Sequence, residues 1–388
     1  MNIKSILMLA YAQYYDDARI KGYVNILLEK KFNVDVICLE DNYSKKYLLK
    51  NNNLNVYFVQ KKYQGHSKVL YLINYFLFYF KATVLVTVKY LKKRYKFIHV
   101  NNQPDFLVFC ALFPKIFGAK IILDMHDIMI AALTAKFNTT EKSFLFKLTK
   151  LQTKLSVGFC DYLFCSDHSQ KEFLELNGIK KKNFYVFLNL PDKNKFYERN
   201  TLPSNSHLKF VYHGTASFRL GLDLAIEAIE RASKEVNVTF TIIGAIGEQK
   251  EELLKLCKKK RILNNLVIFK EPLPVEELQK ELEKYDVGLI ANRRSVLSEY
   301  CMLPVKLMEY TAIGIPSIAP RLKVIQRYFE NEMVAYFNPD DVCDLTNAII
   351  KMSDKEYRDR LIKNSKRFLY KYPWDVQANN YLKIITMN

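Results

Sequence analysis

A chain of 388 residues, 49% apolar and 26% charged, is long enough for two or three domains and excludes a disordered or fibrous protein. Its 59 Lys and Arg against 40 Asp and Glu leave a net charge of +19, which points to an anionic partner such as phosphate, nucleic acid or a membrane surface. The seven Cys are scattered without zinc-ligand spacing and read as reduced core thiols, and residues 3–11 are too short for a signal peptide, so a cytoplasmic protein is expected.

Residues 3–10 form an apolar run that predicts a buried strand. A helical period follows over 16–30 through Ile20, Val24, Leu27 and Leu28, then a second strand at 34–39. This β-α-β opening predicts a parallel sheet covered by helices on both faces. Further strands are expected at 55–59, 97–101, 120–124 and 162–165, with helices at about 67–93, 104–117 and 141–157. The chain then turns polar from Asp192 to Ser206, a linker. A second alternating set begins, with strands at 208–212, 238–243, 266–269, 287–291 and 317–319 and helices near 221–233, 247–259, 275–284 and 303–313. Two helical segments, 341–371 and 374–386, close it. The expected architecture is α/β: two doubly wound Rossmann-like domains, 1–192 and 206–372, facing a cleft, with 374–388 packing back on the first.

Chemistry concentrates at three places. In the stretch from Ser298 to Pro316, Pro304 suits the first helical position, leaving the N–H groups of Val305 and Lys306 for an anion, and Gly314 suits a left-handed helix end. Lys306 and Glu309 are three apart and share a helix face. The loop from Val211 to Asp223 carries Gly214, which lets backbone approach phosphate, and Arg219, which can grip phosphate oxygens with a fork of N–H groups. At the end of the strand over 120–124 stand His126 and Asp127, where ligands of α/β sheets bind.

These stretches, with the run from Tyr285 to Arg294, resemble the landmarks of retaining GT-B glycosyltransferases of the family 4 group, the bacterial surface-polysaccharide type. The family signature has two glutamates eight positions apart. Glu309 matches the second; Cys301 stands where the first is expected, and the nearest carboxylate is Glu299. The resemblance implies a retaining hexosyltransferase that takes a nucleotide sugar as donor and a lipid-linked or oligosaccharide glycan as acceptor. The donor diphosphate would lie on Gly214, Thr215, Arg219, Val305, Lys306 and Leu307, with the ribose on Glu309. His126, Asp127 and Glu299 would face the sugar and acceptor as the catalytic set, and Arg293 or Arg294 would reach phosphate. No metal and no cofactor are expected: the six His lie in no paired ligand spacing, and neither a Walker loop nor a G-x-S-x-G elbow occurs. Alternatives are a nucleotide-sugar 2-epimerase of the same fold, a partner subunit that has lost catalysis, and a nucleic-acid-binding protein. Against the last, no helix-turn-helix, RRM or zinc signature is found.

Between Asp41 and Asp105 there is no acidic residue, while Lys45, Lys46, Lys50, Lys61, Lys62, Lys68, Lys81, Lys89, Lys92, Lys93, Arg94 and Lys96 fall inside that interval. The same interval holds the apolar, aromatic run 69–80. One expectation is a buried helix of the first sheet; the other is a helix edged by cations on the inner face of the cytoplasmic membrane, a peripheral anionic-surface contact.

Overall fold

The computed structural model describes residues 5–40, 52–63, 65, 67–137, 142–199 and 207–386. The chain divides into two compact units, Met1–Asn189 with Asp375–Asn388, and Leu190–Trp374.

The first unit runs β1 (Ser5–Gln13), α1 (Ala18–Glu29), β2 (Asn33–Glu40), β3 (Leu54–Lys61), α2 (Lys68–Lys93), β4 (Phe97–Asn101), a 3-10 segment (Asp105–Ala111) continuing into α3 (Leu112–Ile116), β5 (Lys120–Met125), α4 (Met129–Phe137), α5 (Phe144–Phe159), β6 (Tyr162–Cys165), α6 (His168–Leu176) and β7 (Phe184–Val186). All seven strands are parallel in the order β3-β2-β1-β4-β5-β6-β7. Strand β1 is buried from Ile6 to Ala10 on both faces, which explains why it reads as a continuous apolar run rather than an alternation. Right-handed crossovers send α1 to one face and α2, α3, α5 and α6 to the other. The second unit runs β8 (Leu208–His213), a 3-10 turn (Phe218–Leu220), α7 (Leu222–Ala232), β9 (Val238–Ile243), α8 (Gly247–Lys260), β10 (Val267–Lys270), α9 (Val275–Leu282), β11 (Val287–Leu289), α10 (Val296–Tyr300), α11 (Val305–Ile313), β12 (Ser317–Pro320), α12 (Lys323–Gln326), β13 (Ala335–Phe337), α13 (Val342–Lys351) and α14 (Lys355–Lys371), after which comes α15 (Trp374–Thr386). Its six parallel strands are ordered β10-β9-β8-β11-β12-β13.

Several boundaries differ from the sequence expectations for local reasons. The helix expected over 104–117 is a 3-10 segment and a five-residue α3, because Pro114 lacks an N–H to continue an α-helical ladder. The segment 341–371 is two helices, since the Asp354 side chain accepts from the N–H of Glu356 and Tyr357 and starts a new one. Pro304 is the cap of α11, not its first residue: its ψ of 117° is extended and Val305 opens the helix. Gly314 does close that helix in the left-handed conformation, at φ 82°. The polar stretch after Asp192 packs on the second unit as far as Arg199: Phe196 is buried, and Arg199 Nη1 donates to Tyr285 O at 2.7 Å. Residues 200–206 lie outside the described residues.

Helix α15 returns to the first unit. Gln377 accepts from the Leu188 N–H at 2.8 Å and donates to Leu188 O at 2.7 Å. The Tyr381 hydroxyl meets His99 Nδ1 at 3.1 Å, and its ring packs on Tyr23 of α1 with centroids 4.6 Å apart. Beside them Arg19 forms a two-pronged pair with Asp124, Nε to Oδ2 at 2.7 Å and Nη2 to Oδ1 at 2.6 Å, and donates to Phe187 O and Asn189. Burial opposes ionisation of Asp124, but Arg19 and His99 outweigh it and hold the carboxyl well below the usual range. Burial lowers the His99 pKa, with Asp124 opposing that shift. Six of the seven Cys are buried and Cys343 is exposed, with no disulfide among the described residues.

Candidate functional site

In the second sheet the strand order reverses between β8 and β11, and the loops after those two strands meet at their carboxyl ends. Gly214 follows β8 directly with φ 103°, and its N–H donates to Ile243 O at 2.8 Å. A Cβ there would stand 3.0 Å from Lys306 Cε, so a side chain at 214 would press on the lysine. The loop is held by the Tyr212 hydroxyl, which donates to Thr215 O at 2.6 Å. The Lys306 ammonium lies 4.9 Å above the Tyr212 ring, a cation–π contact. Burial lowers the Lys306 pKa; Glu309 pushes it back up, and Arg219 adds to the lowering. The cation is thus partly stripped of water and poorly compensated by protein, a state that an incoming anion would relieve.

Helix α11 places these groups. Its inner side is fastened by Tyr310, whose hydroxyl donates to Val211 O at 3.2 Å, and Gly288 of β11 makes room for that ring: a Cβ on it would come within 2.3 Å. No side chain caps the helix, which leaves the N–H groups of Val305 and Lys306 open to a ligand. Leu307 is different: its side chain is core and its N–H donates to Pro304 O at 3.1 Å. Glu309 stands one turn in, with Oε2 3.1 Å from His213 Nε2. That approach falls short of hydrogen-bond geometry, and both groups are almost enclosed. His213, the last residue of β8, is a site residue that the sequence reading misses. Its place next to Gly214 at a strand end is the available signal.

The remaining expected residues divide. Arg219 is exposed on the 3-10 turn, whose closing residue Gly221 has φ 64° and would put a Cβ 2.0 Å from Ala291 O. Thr215 is exposed on the same loop. Glu299 has both oxygens engaged: Oε2 accepts from the Lys323 N–H at 2.8 Å, capping α12, and Oε1 pairs with Arg294 Nε at 3.0 Å. Arg293 binds Asp223 and Asp340 and stacks on Phe218, so its guanidinium braces the loops after β8 and β11. Cys301 is buried.

In the first unit His126 and Asp127 follow β5, and Asn102 after β4 shapes their turn. Asn102 Oδ1 accepts from the N–H groups of His126 at 3.1 Å and Asp127 at 3.3 Å, and Asn102 Nδ2 donates to Asp105 at 2.9 Å. Gln170 donates to His126 O at 2.9 Å. His126 Nδ1 is buried without a hydrogen-bond partner, while Asp127 is exposed. Among the described residues no group of three His, Cys, Asp or Glu is arranged to hold a metal ion.

Comparison with known proteins agrees with this layout. Residues 207–355, from the start of β8 to the start of α14, match the family model of glycosyl transferases group 1. The whole chain superposes on sucrose-phosphate synthase of Thermosynechococcus elongatus with a TM-score of 0.80, 14% identity, and 98% of each chain covered. It superposes on Anabaena Alr3699/HepE, solved in complex with UDP-glucose, with a TM-score of 0.72, 14% identity, and 98% and 99% coverage of the two chains. The fold is GT-B. A curated relative from Arabidopsis thaliana, one of the subunits of phosphatidylinositol N-acetylglucosaminyltransferase, is 22% identical over 272 residues, which is 69% of this chain. The match spans 57% of that relative's length.

Proposed function

We propose that this GT-B protein is a retaining glycosyltransferase that moves a hexosyl group from a nucleotide sugar to a lipid-linked glycan in cell-surface polysaccharide synthesis. The observation that carries the reading is the group around α11: an uncapped helix start, a half-buried Lys306 beside the Gly214 backbone, and Glu309 one turn in. Diphosphate oxygens would take the N–H groups of Val305 and Lys306, the Lys306 ammonium and Arg219; Glu309 would accept from the ribose hydroxyls. These donors act where charge grows on the departing phosphate, the place where fixed electrostatics lower a barrier most. The bond from the anomeric carbon to the phosphate oxygen breaks as the acceptor oxygen bonds on the same face, and the acceptor proton passes to the leaving phosphate. His126 and Asp127 keep the sugar-facing and acceptor-facing roles that the resemblance implies. Glu299, held by Arg294 and Lys323, is better suited to shaping the loop before α11 than to gripping a sugar.

The test is a panel of nucleotide sugars scored by thermal shift, then transfer to a lipid-linked acceptor with the anomeric configuration read by NMR. A bound donor at a hundredfold excess over Kd stabilises by about 2.7 kcal/mol. An α-linked donor should yield an α-linked product, and the rate should persist in EDTA. Inversion would refute retention. The lack of any shift across the panel would refute the donor site.

A further inference from the structure

The outer surface of the first unit carries an apolar face that the proposed reaction does not use. Helix α2 lies against the sheet with Phe78, Ala82, Val86 and Tyr90, one buried residue every four. Its opposite side stays in solvent over the whole length: Val69 is 66% exposed, Phe80 63% and Val84 65%. By length and composition α2 could cross a membrane, but that buried stripe pins it to the sheet. Such a helix can lie in a headgroup layer and cannot span it.

Two neighbours extend the face. The 3-10 segment and α3 sit between α2 and α5: Phe106 stacks on Phe76, 6.2 Å between centroids, and Phe109 meets Phe159 of α5 edge to face at 5.1 Å. All three share one side of the sheet by their crossover direction. Ile116 on α3 is 71% exposed, and α5 shows Phe144, Leu148, Leu151 and Leu155 at helical spacing, Phe144 at 80%. Exposed apolar surface on this scale marks an interaction site.

Charge selects the occupant. Across α2, the 3-10 segment, α3 and α5 the sole carboxylate is Asp105, which is buried and bonded to Asn102 and Thr153. Lys81, Lys92, Lys147 and Lys154 are exposed on the same helices. Two copies of such a face would repel, and a neutral apolar partner would leave the lysines unanswered. An anionic bilayer satisfies both features: side chains enter the acyl boundary while ammonium groups reach the lipid phosphates. We infer that α2, α3 and α5 together form a monotopic docking face for a membrane rich in anionic phospholipid. The lysines expected at 45, 46 and 50 lie outside the described residues.

The inference stands apart from the donor site. Full-length protein should sediment with vesicles of phosphatidylcholine containing phosphatidylglycerol at low salt, less with phosphatidylcholine alone, and in part still at high salt because the apolar contact is not screened. The pair Phe144→Ser and Leu148→Ser should weaken sedimentation about tenfold or more while circular dichroism and the nucleotide-sugar thermal shift stay unchanged. The pair Phe80→Ser and Val84→Ser, on the other helix, should do the same. Recovery of wild type in the supernatant at low salt overturns the inference. So does unchanged binding in the α5 pair, which removes α5 from the face, or a dimer in solution that the same substitutions dissociate, which makes it a self-interface.

Discussion

Glu309 and His213 approach each other at 3.1 Å in a nearly closed recess, although neither needs the other for the core. Glu309→Ala should therefore reduce kcat/KM by at least about tenfold, the loss of charge-assisted contacts to ribose, with little change in melting temperature. Turnover equal to wild type would remove the ribose assignment. Lys306 makes a pH prediction. Its pKa is lowered from 10.5 by burial, so the ammonium loses its proton earlier than an ordinary lysine as pH rises. Affinity for the free nucleoside diphosphate should decline with rising pH below 10.5, and Lys306→Arg should flatten that decline, since guanidinium stays charged. Calorimetry across that range decides it; parallel curves for wild type and variant would take the phosphate away from Lys306. The sequence displays Lys306 and Glu309 because helical spacing alone puts them on one face. It hides the engagement of Glu299, because the Lys323 N–H that occupies it belongs to a segment beyond β12.

Among the elements, those marked by an apolar run are legible even when short: the four-residue β6 matches the strand expected at 162–165. The strands at 97–101 and 238–243 agree with β4 and β9 to the residue, and the helix expected at 67–93 begins one residue later. Each carries apolar residues that mark it, β4 as a fully buried run. Helices α4, α6, α10 and α12 and strands β7 and β13 escape a reading of the sequence. Helix α6 depends on Asp167, which accepts from the Gln170 N–H, and α10 on the reciprocal Ser295–Ser298 caps, contacts too local to leave a period. The turn before α7 supplies a sharper test. Gly221 has φ 64° and faces the Ala291 carbonyl, so Gly221→Ala combines a strained backbone with a steric clash against main chain. It should destabilise the second unit by about 1–3 kcal/mol. An unchanged melting temperature would contradict the close packing of the loops after β8 and β11.

For the molecule as a whole, a buried polar group in the first unit joins four distant parts of the sequence: Arg19, His99, Asp124 and Tyr381. Asp124→Asn leaves the Arg19 charge buried with a poorer partner and should cost about 3–5 kcal/mol. Because the folded pKa of Asp124 is depressed, its stabilising contribution is complete above the unfolded value, about 3.9, and is lost only as pH falls toward the lower folded value. Acid titrations of wild type and Asp124→Asn should thus converge at low pH; a constant gap between them would show that ionisation is not what Asp124 supplies.

Helix α15 has a consequence for the order in which the molecule is made. The first unit emerges from the ribosome early, yet the helix that covers Tyr23 and His99 is translated after the entire second unit. Until residue 381 appears, aromatic and imidazole groups that end up fully enclosed face water. The second unit is one unbroken segment and has no such wait, so it can reach its native state while the earlier half stays incomplete, the reverse of the usual N-terminal-first sequence. Residues 190–374 made alone should give a cooperative melt, whereas 1–189 made alone should be loosely packed and become ordered when a peptide of residues 374–388 is supplied.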